Sequence, residues 1–261
     1  MSFRFKQFYV DDSRCAMKVG TDGVLLGAWA GLATYDTTKG LATFDLRLST
    51  TILDIGTGCG LIALMMAQRF PAAHITAIDI NAAAAEQAAD NFAASPWSNR
   101  FQAVHTSLQD FTPQQHFNLI VCNPPFFTET LKAPDPDRAI ARHADTLPLD
   151  LLLRHARQLL TDNGILSLIL PAAALAPLKD SASGNLLAIS RVCHVFSKPG
   201  KAERRVMAEL CHISHQSPNP THHTDLSAQP DTPYLEETLF IESDTASRSE
   251  QYSALTQDFY L

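Results

Sequence analysis

The sequence predicts an α/β protein in which helices cover both faces of a mixed, mostly parallel sheet. Short apolar runs with the length of buried strands alternate with longer segments of helical pattern. Glycine-rich or polar turns follow several of these runs. Two long apolar strands late in the chain flank a Gly/Pro loop, which predicts a hairpin. We therefore expect a seven-stranded mixed sheet with an antiparallel hairpin at one edge.

The first turn follows the predicted strand Thr51–Ile55 and is rich in glycine. Gly56, Gly58 and Gly60 have no Cβ, so the backbone there can pass close to a ligand. Their spacing is Gly-x-Gly-x-Gly, whereas pyrophosphate-binding loops have Gly-x-Gly-x-x-Gly. Asp54 precedes the loop and would repel a phosphate. The arrangement favours the cationic sulfonium and ammonium groups of S-adenosylmethionine.

A second predicted strand, His74–Ile78, ends at Asp79. An acid at this place can accept hydrogen bonds from both hydroxyls of an adenosine ribose. Because nicotinamide and methionine cofactors both carry that ribose, Asp79 locates the ribose without naming the cofactor. The glycine spacing and the turn after the fourth strand distinguish the two.

The fourth predicted strand, Leu119–Cys122, ends in a turn of Asn123, Pro124 and Pro125, which Phe126 and Phe127 follow. The exocyclic amine of adenine is a poor nucleophile because its lone pair is conjugated with the ring. The Asn123 side chain and the Pro124 carbonyl can each accept one N–H, which frees the lone pair, while Phe126 stacks on the base. Phe127 would wall the pocket or pack beneath it. The alternative is a common Asn-Pro-Pro turn.

These motifs together resemble the Rossmann-like class I S-adenosylmethionine-dependent methyltransferases, and Asn-Pro-Pro-Phe resembles their amino-methylating branch. The chain is most similar to the bacterial family that methylates N6 of adenine-37 in a valine tRNA. The closer similarity is carried by Lys18–Trp29, Ser197–Arg205 and Ala254–Leu261. The resemblance implies an enzyme that uses S-adenosylmethionine, acts on tRNA and catalyses transfer with Asn123, Pro124 and Phe126.

The resemblance also implies further cofactor contacts. In similar enzymes the segment Lys18–Trp29 closes over the methionine end of the cofactor, which makes Lys18, Thr21 and Asp22 candidates. Helix capping by Thr21 or Asp22 is the alternative. Many relatives bind the cofactor adenine with an acid after the third strand, here Phe101–His105. This chain has Ser107 and Leu108 there, so these two are the candidate adenine contacts.

The charge is uneven along the chain, whose formal net charge is -7. Residues 214–261 hold eight acids and one base, which leaves nineteen of each sign before them. The bases of that first part are clustered, as a phosphate-binding surface requires, although each cluster can also be a solvated face. The candidate substrate contacts are Phe126, Phe127, Arg142, Lys198, Lys201, Arg204 and Arg205.

Four segments are expected along the chain. Residues 1–48 are an N-terminal extension that forms a lid over cofactor and substrate, and residues 49–213 are the catalytic domain. Residues 214–233 are a flexible linker, and residues 234–261 are an acidic tail with a final helix. Asn81 and Gly164 are expected to begin and end helices. The other predicted helices and strands are Ile62–Arg69, Asn81–Phe92, Leu149–Leu160, Ile165–Leu170, Ala172–Ser183, Leu187–Phe196 and Arg205–Ile213.

Several classes of protein are disfavoured by the sequence. No apolar run approaches the roughly 18 residues of a membrane span, and the N-terminus lacks a signal-peptide pattern, so a cytoplasmic enzyme is expected. The five cysteines are scattered and are interpreted as reduced core residues. The histidines near Cys211 lack paired ligand spacing, so no metal is expected. The sequence leaves the oligomeric state open, with a monomer as the simplest expectation.

Two other functions remain open at this point. One keeps the enzyme and changes its substrate to ribosomal RNA, DNA or a protein glutamine; Phe126, where glutamine-methylating relatives carry Tyr, favours a nucleobase. The other is a non-catalytic nucleotide-binding or RNA-binding module with the same fold. The presence of both Asn123 and Asp79 argues against that module.

Overall fold

The computed structural model of the protein describes residues 2–31, 50–125, 147–213, 234–245 and 247–260. The strands in this part of the chain are β1 (Ser2–Arg4), β2 (Tyr9–Asp11), β3 (Thr51–Ile55), β4 (His74–Asp79), β5 (Phe101–His105), β6 (Phe117–Cys122), β7 (Leu160–Pro171), β8 (Leu187–Phe196), β9 (Glu203–His212) and β10 (Leu235–Phe240). The helices are α1 (Thr21–Trp29), α2 (Leu61–Arg69), α3 (Ala82–Ala93), α4 (Leu149–Leu159), α5 (Leu175–Gly184) and α6 (Glu250–Thr256), with short 3-10 helices at Ser98–Arg100 and Ala172–Ala174.

The main sheet has the order β10-β8-β9-β7-β6-β3-β4-β5 over the described residues. Strand β9 is antiparallel to both of its neighbours, and all other adjacent pairs are parallel. The carboxyl ends of β3, β4, β5, β6 and β7 therefore lie along one edge, which we call the carboxyl edge. The loop from β8 to β9 lies at the same edge because β8 runs parallel to β7.

The predicted α/β class is confirmed, but the strand count is eight where seven were expected. The additional strand is β10, which pairs in parallel with β8 and covers the edge that the hairpin was expected to leave open. Its sequence contains Glu236 and Glu237, which made it look like part of a solvated tail. Glu237 is instead paired with Arg191, at 3.0 Å, and accepts a hydrogen bond from the Trp29 indole. A tertiary partner thus allows an acidic segment to join the sheet.

Two hydrophobic clusters cover the two faces of the sheet. One contains Ile52 and Val121 of the sheet and packs them against α1, α2 and α3. The other contains Leu53 and Ile120 and packs them against α4 and α5. Because neighbouring strand residues point to opposite faces, these runs are apolar throughout rather than alternating. The helices on both faces are as predicted.

The helix ends differ from the sequence expectations in two places. Gly20, not Thr21 or Asp22, occupies the N-cap position of α1, and no side chain caps that end. Gly164 lies inside β7 and not at the end of a helix. A Cβ there would lie 2.8 Å from the carbonyl oxygen of Phe117, so close strand packing explains this glycine. The Asn81 cap is confirmed, since its side chain accepts a hydrogen bond from the Ala84 N–H.

The N-terminal ribbon β1–β2 packs against the C-terminal segment. Phe5 and Phe8 are both 2% exposed and stack at 4.7 Å between ring centroids. The Lys6 N–H donates to the Phe259 carbonyl, at 2.8 Å.

All five cysteines are free and buried, as expected. In the ranges that the structure describes, no helix is long and apolar enough to cross a membrane, and no group of three or more His, Cys, Asp or Glu side chains is arranged to hold a metal ion.

Candidate active site

The glycine loop joins β3 to α2 at the carboxyl edge. Gly56, Gly58 and Gly60 have φ values of +69°, +57° and +82°, in the left-handed region that favours glycine. A Cβ at Gly60 would lie 2.5 Å from the Phe92 ring, so this glycine is needed for packing against α3. At Gly56 and Gly58 a Cβ would meet no described atom within 4 Å. These two glycines therefore border open space, where a ligand can approach the backbone.

Asp54 lies beneath this loop and is 1% exposed. Its Oδ2 accepts hydrogen bonds from the Thr57 hydroxyl, at 2.7 Å, and from the Ala63 N–H, at 3.2 Å. Its Oδ1 has no hydrogen-bond partner within the part of the chain that the structure describes. Burial, opposed in part by these two hydrogen bonds, raises the pKa of Asp54 from 3.8 to about 7. A buried acceptor without a partner suits a ligand that brings a donor or a positive charge.

The raised pKa of Asp54 predicts a pH-dependent stability. Between pH 4 and 7 the folded chain keeps a proton that the unfolded chain has released, so the free energy of unfolding falls as pH rises through this window. Between pH 4 and 7 we expect the free energy of unfolding of the wild type to fall by up to about 4 kcal/mol relative to that of Asp54→Asn. Urea unfolding of both proteins without cofactor, at pH 4, 5, 6, 7 and 8, measures the difference. A difference that does not vary with pH would contradict the assignment.

Asp79 lies at the end of β4 and organises the neighbouring turn. Its Oδ2 accepts from the Gly58 N–H and its Oδ1 from the Asn81 N–H, both at 2.8 Å. A carboxylate has about four acceptor sites, so both oxygens can still accept from a ligand hydroxyl. The sequence reasoning missed Ile80, which is 64% exposed and directly follows Asp79. The sequence does contain a signal for Ile80, because an apolar residue follows the acid that ends β4. A turn exposed to solvent would favour a polar residue at that position.

Asn123 is placed beside the glycine loop by the strand register. Ile55 of β3 pairs with Cys122 of β6, so Gly56 and Asn123 follow at the same level of adjacent strands, which lie about 4.8 Å apart. Asn123 is half-buried, and Pro124 is buried. The Asn123 amide lies 4.0 Å from the Met17 sulfur. Phe126, Phe127 and Arg142 lie outside the described residues.

The segment before α1 lies over this edge. Met17, 53% exposed, contacts Asn123, and no sequence signal had singled it out. Lys18 donates to the Asp12 carbonyl at 2.7 Å, and the Asp12 side chain accepts from the Val19 N–H at 3.0 Å, which holds this turn closed. Burial and then the negative charge of Asp79 raise the pKa of Cys15, which places this segment near Asp79.

The structure places four more of the sequence-predicted cofactor candidates, and three of them already contact other residues of the chain. Thr21 is exposed at the first turn of α1. Asp22 accepts from the Arg205 guanidinium at 2.8 Å, so this cofactor candidate and this substrate candidate bind each other. Ser107 donates to Asp110 at 2.6 Å. Leu108 is 4% exposed and packs within the second hydrophobic cluster.

The loop between β8 and β9, residues 197–202, presents bases at the carboxyl edge. Gly200 has a φ of +74°, and the Lys201 N–H donates to the Lys198 carbonyl at 3.2 Å, which closes the turn. Lys201 and Arg204 are exposed, and Lys198 is half-buried. We call Lys198 and Lys201, together with Arg204 at the start of β9, the basic loop. Arg205 is left out because it is held by Asp22.

Comparisons with known proteins agree with this geometry. A family model described as "Methyltransferase small domain" matches residues 37–176. The chain is 41% identical over 261 residues to a "tRNA1(Val) (adenine(37)-N6)-methyltransferase" from Parabacteroides distasonis, with 99% of this chain and 97% of that protein covered. A protein of the same name from Shewanella baltica is 40% identical over 219 residues, with 82% and 86% covered.

A solved structure supports the fold. A predicted O-methyltransferase from Agrobacterium tumefaciens superposes with a TM-score of 0.60 at 16% sequence identity, covering 91% of this chain and 96% of that one. At this identity the similarity establishes the architecture alone.

Proposed function

The chain belongs to the tRNA1(Val) (adenine(37)-N6)-methyltransferase family, and we propose that it transfers the methyl group of S-adenosylmethionine to N6 of adenine-37 in a valine tRNA. The observation that carries this proposal is the 41% identity over 99% of the chain. The placement of Asn123 beside the open glycine loop supports it, because amine acceptor and cofactor cradle must adjoin for methyl transfer.

The residues present fit the cofactor. Asp79 has acceptor capacity for the ribose hydroxyls, and Gly56 and Gly58 offer backbone that no Cβ covers. The free acceptor of Asp54 suits the positively charged end, which would favour its ionised form. Ile80 offers an exposed apolar side chain for the adenine. Lys18, Thr21, Asp22, Gly60, Ser107 and Leu108 remain sequence-based candidates for positioning this site.

When bound, S-adenosylmethionine supplies an electrophilic methyl group on a sulfonium. The Asn123 side-chain carbonyl and the Pro124 backbone carbonyl would each accept a hydrogen bond from one N–H of the target amine. These two hydrogen bonds would direct the amine lone pair toward that methyl. The transfer would join that methyl to the amine nitrogen at the expense of its bond to sulfur, and the amine would release one proton to solvent. Phe126 would hold the base by stacking after it leaves its loop. Orientation therefore replaces a general base in this mechanism.

The organisation of the chain follows from the same proposal. Residues 1–48 act as a lid, since Met17 already contacts Asn123. Residues 49–213 form the catalytic domain, and residues 214–233 link it to residues 234–261, which contribute β10 and α6. We propose a cytoplasmic enzyme, because tRNA would be its substrate, and a monomer as the simplest state.

The direct test is methyl transfer from labelled S-adenosylmethionine into tRNA that lacks this modification, followed by nucleoside analysis. The expected product is N6-methyladenosine in a valine tRNA. Label in ribosomal RNA, DNA or protein would keep the cofactor and overturn the substrate. Cofactor binding without transfer to any of them would indicate a non-catalytic module.

The basic loop predicts a salt-dependent tRNA affinity. Lys201→Glu with Arg204→Glu places two acids where the exposed bases would face phosphates, so we expect KM for tRNA to rise about tenfold or more at low salt. The slope of log K against log salt should fall by about 1 to 2. Steady-state kinetics from 50 to 300 mM salt, about the range over which phosphate contacts are screened, measure both.

A matched charge change provides the control for this pair. Arg154→Glu with Lys179→Glu alters net charge equally on α4 and α5, the helices that pack in the second hydrophobic cluster. We expect these changes to leave the tRNA KM nearly unaltered. An equal loss in both double variants would assign the effect to net charge and not to the basic loop.

A further inference from the structure

A second cavity lies apart from the glycine loop, between the β1–β2 ribbon, the start of α1 and the C-terminal segment. Its volume is about 290 Å³. Its walls include Phe3 and Arg4 from the ribbon, Gly20 from the α1 N-cap, and Arg248 and Tyr260 from the C-terminal segment. Its volume is at the lower end of the range for small-ligand sites, which favours a ligand of about one nucleobase.

Flat rings and guanidinium groups dominate the lining. The Arg248 guanidinium carbon lies 4.5 Å from the Tyr260 ring centroid. The Arg4 guanidinium carbon lies 5.5 Å from the ring centroid of Tyr9, its strand partner, which adjoins the cavity without lining it. Phe3 is 36% exposed and Tyr9 is 59% exposed, both high for aromatic side chains. Stacked aromatic and arginine planes are the surfaces on which proteins hold unpaired bases.

The charge of the cavity is opposite to that of the chain. The described residues that line it include two arginines and no acid, in a protein whose net charge is -7. Residues 214–261 contain a single base among eight acids, and that base is Arg248. The fold brings this base to Arg4 at the other end of the chain. The arrangement suits an anionic ligand with a flat ring.

The cavity adjoins the segment that lies over the candidate active site. Gly20 is three residues from Met17, so their Cα atoms are at most about 11 Å apart, and Met17 contacts Asn123. Thr21, also in the lining, precedes Asp22, which binds Arg205 next to the basic loop. One stretch of RNA with its target base at Asn123 can therefore reach the cavity.

We infer that this cavity, the aromatic–arginine pocket, binds an unpaired nucleotide of the tRNA other than the target adenine. The base lies against Phe3 and Tyr260, and the adjoining phosphate lies between Arg4 and Arg248. The inference rests on the proposed function because it takes tRNA as the substrate. The pocket holds the anticodon loop in register while the target base is turned out toward Asn123.

The main test is the double variant Arg4→Gln with Arg248→Gln, which removes two charges but keeps polar side chains at two exposed positions. We expect Kd for an isolated anticodon stem-loop to rise about tenfold, with Kd for S-adenosylmethionine unchanged. Arg154→Gln with Lys179→Gln is the control with the same loss of charge and should bind both ligands as the wild type does. Unchanged stem-loop affinity, or a weakened cofactor affinity, in the Arg4/Arg248 variant would overturn the inference.

A second measurement reports stacking directly. 2-Aminopurine is placed in turn at each unpaired loop position other than 37, and its fluorescence is recorded on binding. One position should be quenched by the wild type and recover with Phe3→Leu, an exposed change that spares the core. Quenching that persists in Phe3→Leu at every position would contradict the pocket.

Failure of the inference and failure of the proposed function are distinguishable in these experiments. If the wild type binds the stem-loop through this pocket but transfers no methyl group to tRNA, only the proposed function is overturned. If the wild type methylates tRNA and the Arg4/Arg248 variant binds the stem-loop as tightly as the wild type does, only the inference about the pocket is overturned.

Discussion

Replacing Asn123 with alanine is expected to lower kcat by about 10²- to 10³-fold, the loss seen when one positioned polar group is removed from a reaction centre. The reason is that the Asn123 amide oxygen would orient the target amine during methyl transfer. In the protein without substrate, the same side chain contributes little to stability. Its amide lies 4.0 Å from the Met17 sulfur and makes no other hydrogen bond within the described ranges. Cofactor Kd should therefore remain nearly unchanged. Single-turnover methylation and calorimetric titration measure the two quantities.

Two further variants sharpen this prediction. Asn123→Asp keeps an acceptor oxygen at the same place, so its loss of turnover should be smaller than that of the alanine variant. Asn185→Ala is a control, because the Asn185 amide donates to Asp150, in the first turn of α4, at 2.8 Å. Wild-type turnover by the Asn123→Ala variant would remove Asn123 from the catalytic mechanism.

Replacing Asp79 with alanine is expected to raise Kd for S-adenosylmethionine by about 100-fold. Hydrogen bonds to a charged acceptor contribute about 1.5–3 kcal/mol each, and the ribose hydroxyls would lose theirs. The same change removes the acceptor for the Gly58 and Asn81 N–H groups, so the glycine loop also loses its anchor. Equilibrium binding of labelled cofactor measures the effect.

The control for Asp79 is an acid at a distance from the loop. Asp150→Ala removes a carboxylate that pairs with Arg154 on α4, at 3.6 Å, and should leave cofactor Kd unchanged. Circular dichroism separates a local loss from unfolding. A folded Asp79→Ala variant with wild-type cofactor affinity would refute the ribose assignment.

The strands and the glycine loop were predictable because their signals are local. A buried strand, three glycines and an acid lie within eleven residues, and each acts through its own backbone geometry or its immediate neighbours. Asn123 was predictable for the same reason, since it directly ends an apolar run. Strand β10 was not predictable, because its Glu237 pairs with Arg191 and accepts a hydrogen bond from Trp29, which lie far away along the chain.

The sequence by itself determined the fold class, the glycine loop, Asp79 and Asn123, because strand ends and turns depend on residues that adjoin in the chain. Only the tertiary structure decided which distant residues meet. Asp22 and Arg205 pair across 183 residues, Met17 and Asn123 lie near each other across 106, and Trp29 binds Glu237 across 208. Hydrophobic periodicity predicts which face of a helix or strand is buried, but it does not predict which other element packs against that face. Pairing across such distances depends on sheet order and helix packing, which put Arg4 and Arg248 in one pocket.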